Sequence, residues 1–167
     1  PRVTGAAEKY RVGNLVVTSP GGTRPGDWNK LDHNETRLTF AASTKNNTHV
    51  IDESIMVRYQ KGIGTIPSEG TSKYLSQGKA NLASAIGYLL QQFVQEGFEA
   101  KNGSFTEIAG TDAYRSEFVK HEVPTEYVLY IVIWKEDWYL ITYTSRSASP
   151  GAHLPDFERL LVQLEFV

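Results

Sequence analysis

Residues 126 to 145 hold the densest apolar pattern in the chain: EYVLYIVIW, three charged residues, then WYLITYTS. Each run is too short and too β-rich for a helix, so the pair reads as a hairpin joined across Lys135, Glu136 and Asp137. A two-residue loop at Glu136 and Asp137 predicts Trp134 opposite Tyr139, Val132 opposite Ile141 and Tyr130 opposite Tyr143. A four-residue loop keeps that pairing. One face then carries Val128, Tyr130, Val132, Trp134, Tyr139, Ile141 and Tyr143. The other carries Leu129, Ile131, Ile133, Trp138, Leu140, Thr142 and Thr144. Strands apolar on both sides belong in the middle of a sheet covered on both faces.

The remaining pattern supplies the covers. VGNLVVTS (12–19) predicts a first strand, closed by the turn-rich PGGTRPGDW. TRLTFAAS (36–43) alternates, HVIDESIMVRY (49–59) is a third strand, and GIGTIPSEGTS (62–72) is a long loop. The period then changes. Leu82, Ile86, Leu89, Leu90 and Phe93 recur every three or four residues, which predicts a helix over 81–96. Asn81 is its expected N-cap and Gly97 with Phe98 its stop. SFTEIAG (104–110) and DAYRSEFVKHEV (112–123) lead into the hairpin, and connections this short require antiparallel neighbours. LPDFERLLVQL closes the chain as a helix over 154–163, with Pro155 in its first turn and Phe157, Leu160, Leu161 and Leu164 on one stripe. The expected fold is therefore α+β. It is a three-layer α/β/α sandwich on a mainly antiparallel sheet, one helix per face. Residues 1–11 are a tail and 12–167 a single domain.

Composition narrows function mostly by exclusion. At 167 residues the chain can bury a full core as one domain. The net charge of -2 carries no basic footprint for nucleic acid. Cysteine is absent, which removes disulfides, thiol nucleophiles and thiolate metal sites. The chain opens at Pro1, and the expectation is a mature product whose targeting segment or lipid-bearing residue lay upstream. Asn34, Asn46 and Asn102 each begin an N-x-S/T triplet.

Candidate chemistry is sparse. His33, His49, His121 and His153 form no HxH or HxxxH pair, so no metal site is expected. DWNKLDHNE gathers Asp27, Asp32, His33 and Glu35 around Trp28. A carboxylate beside a histidine can do acid–base work, but the plainer reading is a polar connection with Trp28 plugged into the core. GIGTIPSEG lacks the spacing and the Lys-Ser/Thr of a phosphate loop. TSRSASPG has serines without a G-x-S-x-G elbow. No catalytic residue, metal or cofactor is assigned.

The order of elements resembles the PsbP-like fold, on LVVTSPGG…W near the start, IGYLLQQFVQEGF, IAGTDAYRSEFV and WYLITYTSRS leading into LPDFERLLVQLEF. The resemblance spans 12–167. It implies a non-enzymatic accessory or binding protein of the periplasm or cell envelope, with a protein partner or a small apolar ligand. The alternatives are a cytoplasmic chaperone or adaptor covering apolar client segments, or a small hydrolase. The aromatic face supplies the expected contact surface. Tyr130, Trp134, Tyr139 and Tyr143 carry polar tips that tolerate half-exposure, and the C-terminal helix is shorter than the strands it must cover.

Overall fold

The computed structural model describes residues 8–20, 28–42, 53–61, 86–87, 89–120, 125–135, 137–145 and 154–167. The strands are β1 (Lys9–Val12), β2 (Leu15–Thr18), β3 (Asn29–His33), β4 (Arg37–Ala42), β5 (Glu53–Gln60), β6 (Glu99–Ile108), β7 (Thr111–Lys120), β8 (Thr125–Trp134), β9 (Asp137–Ser145) and β10 (Glu165–Phe166). Helix α1 is described at 86–87 and 89–95, and α2 spans Leu154–Val162. Seven strands form one sheet in the order β3-β4-β5-β9-β8-β7-β6, and β1-β2-β10 form a second. Every described pairing is antiparallel. The molecule is mainly β.

Alternation along β8 and β9 sorts their side chains into two cores, with the membership the sequence pattern predicts. Val128, Val132, Tyr139, Ile141 and Tyr143 share one core with Phe157, Leu160 and Leu161 of α2 and with Val12, Leu15 and Val17 of the small sheet. Leu129, Ile131 and Trp138 share the other with Ile86 of α1, Phe98 and Phe118, flanked by the partly buried Leu89, Leu90 and Phe93. Leu82 and Asn81 lie outside the described residues.

Three expectations need correction. Each core takes one helix as expected, but the α/β/α description yields to a sheet-rich molecule, because the small sheet shares α2's face. A nine-residue helix is only about 13 Å long, and β9 with its nine residues extends about 30 Å. The tail boundary is also displaced. Residues 9–11 belong to β1, whose partner begins after a two-residue turn at Gly13 and Asn14. Finally, the β8–β9 register is offset by two. Trp134 pairs with Asp137, Val132 with Tyr139, Tyr130 with Ile141 and Val128 with Tyr143. Lys135, next after Trp134, adopts the left-handed conformation (φ 48°) that tight hairpin turns favour. An offset of two preserves which face each side chain meets.

Helix α1 stops where its sequence says it should. Gly97 has φ 91°, its N–H donates to the Val94 carbonyl at 3.1 Å, and the Phe98 N–H donates to the Phe93 carbonyl at 3.0 Å. These are the two bonds of a Schellman stop, and the rings of Phe93 and Phe98 make its hydrophobic contact at 5.6 Å. The stop fixes where α1 ends over the sheet, and that placement shapes the site below.

Candidate functional site

The aromatic face is more closed than the sequence suggests. Tyr139 and Tyr143 are core residues, at 0% and 3% exposure. The Tyr139 hydroxyl accepts the Asn14 N–H at 2.9 Å, and burial raises its pKa above the usual tyrosine value. The Tyr143 hydroxyl donates to the buried Glu53 carboxylate, and its ring stacks on Phe157 at 5.4 Å. Trp134 is half-buried and lies parallel to Phe166 of β10 at 4.8 Å, with the Lys135 ammonium 4.4 Å from its ring centre. The small sheet thus seals the end that α2 does not reach. Only Tyr130 and Trp134 keep appreciable exposure. Arg115 donates to the Tyr130 hydroxyl at 3.1 Å and lies 3.4 Å from Glu117.

The opposite face holds a cleft that the sequence reading missed. It has a volume of about 340 Å³ and runs between α1 and the floor of β5, β9 and β8. The sheet register arranges that floor in rows. Ser54, Thr144 and Tyr127 make one row, and Met56, Thr142 and Leu129 the next. Arg58 and Leu140 begin the third. Leu89, Gln92, Phe93 and Glu96 of the helix side form the wall. Phe93 is held in place by stacking on Phe118 at 4.2 Å, which draws α1 towards β7 and β8. The β5 and β9 side is left as floor. Thr142 and Thr144 interrupt an otherwise apolar strand face, and that break in pattern was the available sequence signal. Apolar side chains with a few fixed polar groups are the usual lining of a small-molecule site.

The other sequence candidates do not converge. The stretch read as a loop at 29–33 is strand β3, so Asp32 and His33 point to opposite faces. Asp32 pairs with Arg37 at 3.1 Å, while His33 Nε2 lies 3.0 Å from the Arg11 carbonyl and its ring meets Tyr10 edge-on. Trp28 packs beside the α2 core and donates to Asp156 at 3.0 Å. Asn34 is spent on a turn, its side-chain oxygen accepting the Thr36 and Arg37 N–H groups. Asp27, His49, His121, His153, the 62–72 segment and the serines beyond Ser145 lie outside the described residues. Among the described residues, no three His, Cys, Asp or Glu side chains lie together as a metal site would need. None of the described helices is long and apolar enough to cross a membrane.

A mainly antiparallel sheet with a helix against each core is a recurring architecture, and solved structures identify which. Neither a family model nor a curated protein sequence matches the chain. Cyanobacterial PsbP (CyanoP) of Synechocystis sp. PCC 6803 superposes with a TM-score of 0.57 at 12% identity, over 99% of this chain and 95% of that one. LpqN of Mycobacterium tuberculosis, described as involved in cell envelope biogenesis, gives 0.60 at 12% identity, over 96% and 90%. A Pseudomonas aeruginosa protein of unknown function gives 0.52 at 13%, over 95% and 96%. The chain has a PsbP-like fold.

Proposed function

We propose that this chain is a non-catalytic accessory protein of the cell envelope that binds a small ligand with an apolar body in the α1 cleft. The observation that carries this reading is the cleft itself. Its floor joins Met56, Leu129 and Leu140 to the hydroxyls of Ser54, Thr142 and Thr144, a lining suited to holding a molecule rather than to turning one over. An envelope location accords with the description of the LpqN neighbour. The molecule is read as layered, with α1 as the outer layer that makes one wall of the site. A neutral, solvatochromic naphthylamine probe tests the proposal. It should brighten with the wild-type protein and lose that response in Thr142→Trp and in Met56→Trp, which fill the floor from adjacent strands. Equal brightening by wild type and by both variants, each still cooperatively folded, would place the probe elsewhere and end the proposal.

A second reading keeps the protein partner. Tyr130, beside Arg115 and Glu117, is one of two residues of the aromatic face left half-exposed, and Tyr and Arg are frequent anchors of protein contacts. Tyr130→Ala should weaken a partner without unfolding the chain. A variant that unfolds instead returns Tyr130 to the core.

A further inference from the structure

Opposite charges stand at opposite ends of the cleft. Tyr127 marks one end, because it shares a row with Thr144 and Ser54 and its ring meets Phe93 at 6.1 Å and Phe98 at 4.9 Å, at the C-terminal end of α1. Glu96, in the last turn of that helical segment, belongs to this end. Arg58 belongs to the other, four residues along β5 from Ser54 or about 13 Å of strand. Neither Arg58 nor Glu96 has an ion-pair partner among the described residues.

The charge at the Arg58 end is not cancelled as its cross-strand neighbour's is. Arg37 lies directly opposite Arg58 in the β4–β5 ladder, and like charges so placed oppose each other. Asp32 neutralises Arg37 at 3.1 Å. No described acid does the same for Arg58, so an anion arriving there meets an uncompensated guanidinium.

Building on the cleft reading, we propose that its ligand is a short apolar peptide with free ends. The carboxylate lies on Arg58, the ammonium by Glu96, and the side chains rest on Met56, Leu140 and Phe93. Three extended residues span about 10 Å, which leaves room for both charged side chains to reach inward. The hydroxyls of Ser54, Thr142 and Thr144 face the peptide's backbone groups. A purely apolar tail would have to lie against them and against Glu96. A lone anion would leave the Glu96 end unmatched.

The experiment is calorimetric titration of the full chain with the tripeptide Ala-Leu-Ala, with its C-amidated form and with its N-acetylated form. The free peptide should bind, and each blocked form should bind about tenfold more weakly, the order expected for one charge-assisted contact. Arg58→Gln should abolish the penalty for amidation while keeping the penalty for acetylation, and Glu96→Gln the reverse. All three peptides binding equally would overturn the proposal, as would both variants losing both penalties together. The neutral probe separates the two readings. A probe displaced from the cleft with no peptide binding leaves the cleft a ligand site and defeats only the peptide. A probe response indifferent to Thr142→Trp and Met56→Trp defeats both.

Discussion

The two faces of β8 and β9 are both largely apolar in sequence and differ in how their polar atoms end up. On the α2 face, tyrosine hydroxyls reach fixed partners: Tyr139 holds the β1–β2 turn and Tyr143 the buried Glu53. On the α1 face, Ser54, Thr142 and Thr144 line an open floor. A polar tip on an apolar face therefore does not by itself mark a binding surface. A large aromatic can carry its hydroxyl across the core to another element, whereas a threonine cannot, and its hydroxyl must meet whatever enters the space above it. The richer aromatic face became the closed one.

Substitutions can break that contrast, and the largest effect is expected at Tyr143. Tyr143→Ala removes a buried ring and orphans part of the Glu53 site, and should cost roughly 3 to 5 kcal/mol in chemical denaturation. Unfolding energy within about 1 kcal/mol of wild type would show that the face is open after all.

Next comes Gly13→Ala. A Cβ there would lie 2.8 Å from the Tyr139 hydroxyl and from the Tyr59 ring, on a backbone at φ 59°. Left-handed backbone costs about 1 to 2 kcal/mol for an ordinary residue, and crowding typically adds 1 to 3 kcal/mol. A melting temperature unchanged by this substitution would mean the small sheet is not docked on Tyr139.

A smaller loss follows Tyr139→Phe, which leaves the Asn14 N–H without its acceptor and should cost about 1 to 2 kcal/mol. The effect has a pH signature. Burial raises the Tyr139 pKa, so its contribution is complete below the unfolded tyrosine value and is lost as pH rises through the higher folded value. Stability measured from neutral to strongly alkaline pH should fall less steeply in Tyr139→Phe than in wild type. Identical slopes would remove Tyr139 from the account.

The smallest effect belongs to the open face. Thr142→Val keeps the shape of the floor and should change stability by no more than about 0.5 kcal/mol. A loss above 1 kcal/mol would show that the Thr142 hydroxyl is committed to the fold and not free for a ligand.

What could be read in advance follows from range. The facial partition of β8 and β9 was legible because alternation is local, and two residues of register slip cannot move Val128 or Ile131 to the wrong side. The stop at Gly97–Phe98 was legible because a Schellman stop is written in adjacent residues. β1 and β10 were not, since KYRV and EF are too short and too charged to show a period. Their pairing is set by Gly13 and by contacts with residues far away in sequence. The cleft was hidden for a related reason. It depends on α1 lying towards β7 and β8, and that offset comes from Phe93 stacking on Phe118, a contact no periodicity announces. The burial of Tyr139 and Tyr143 was not legible, because the shortness of α2 shows in the sequence while the cover supplied by β1, β2 and β10 depends on distant pairings.

The pairing of β10 with β2 sets a schedule on folding. Phe166 sits opposite Leu15, and the Val167 N–H donates to the Asn14 carbonyl at 2.8 Å, so the small sheet joins segments about 150 residues apart. Closing so long a loop is slow, because its entropy must be lost before the contact returns anything. During synthesis at about 5 to 20 residues per second, β8 and β9 are complete while residues 165–166 have still to be added. For that interval Trp134 lacks Phe166, and the aromatic end of the sheet stands open to other chains. A nascent chain halted just after β9 should therefore engage an apolar-binding chaperone, and release should coincide with the arrival of β10.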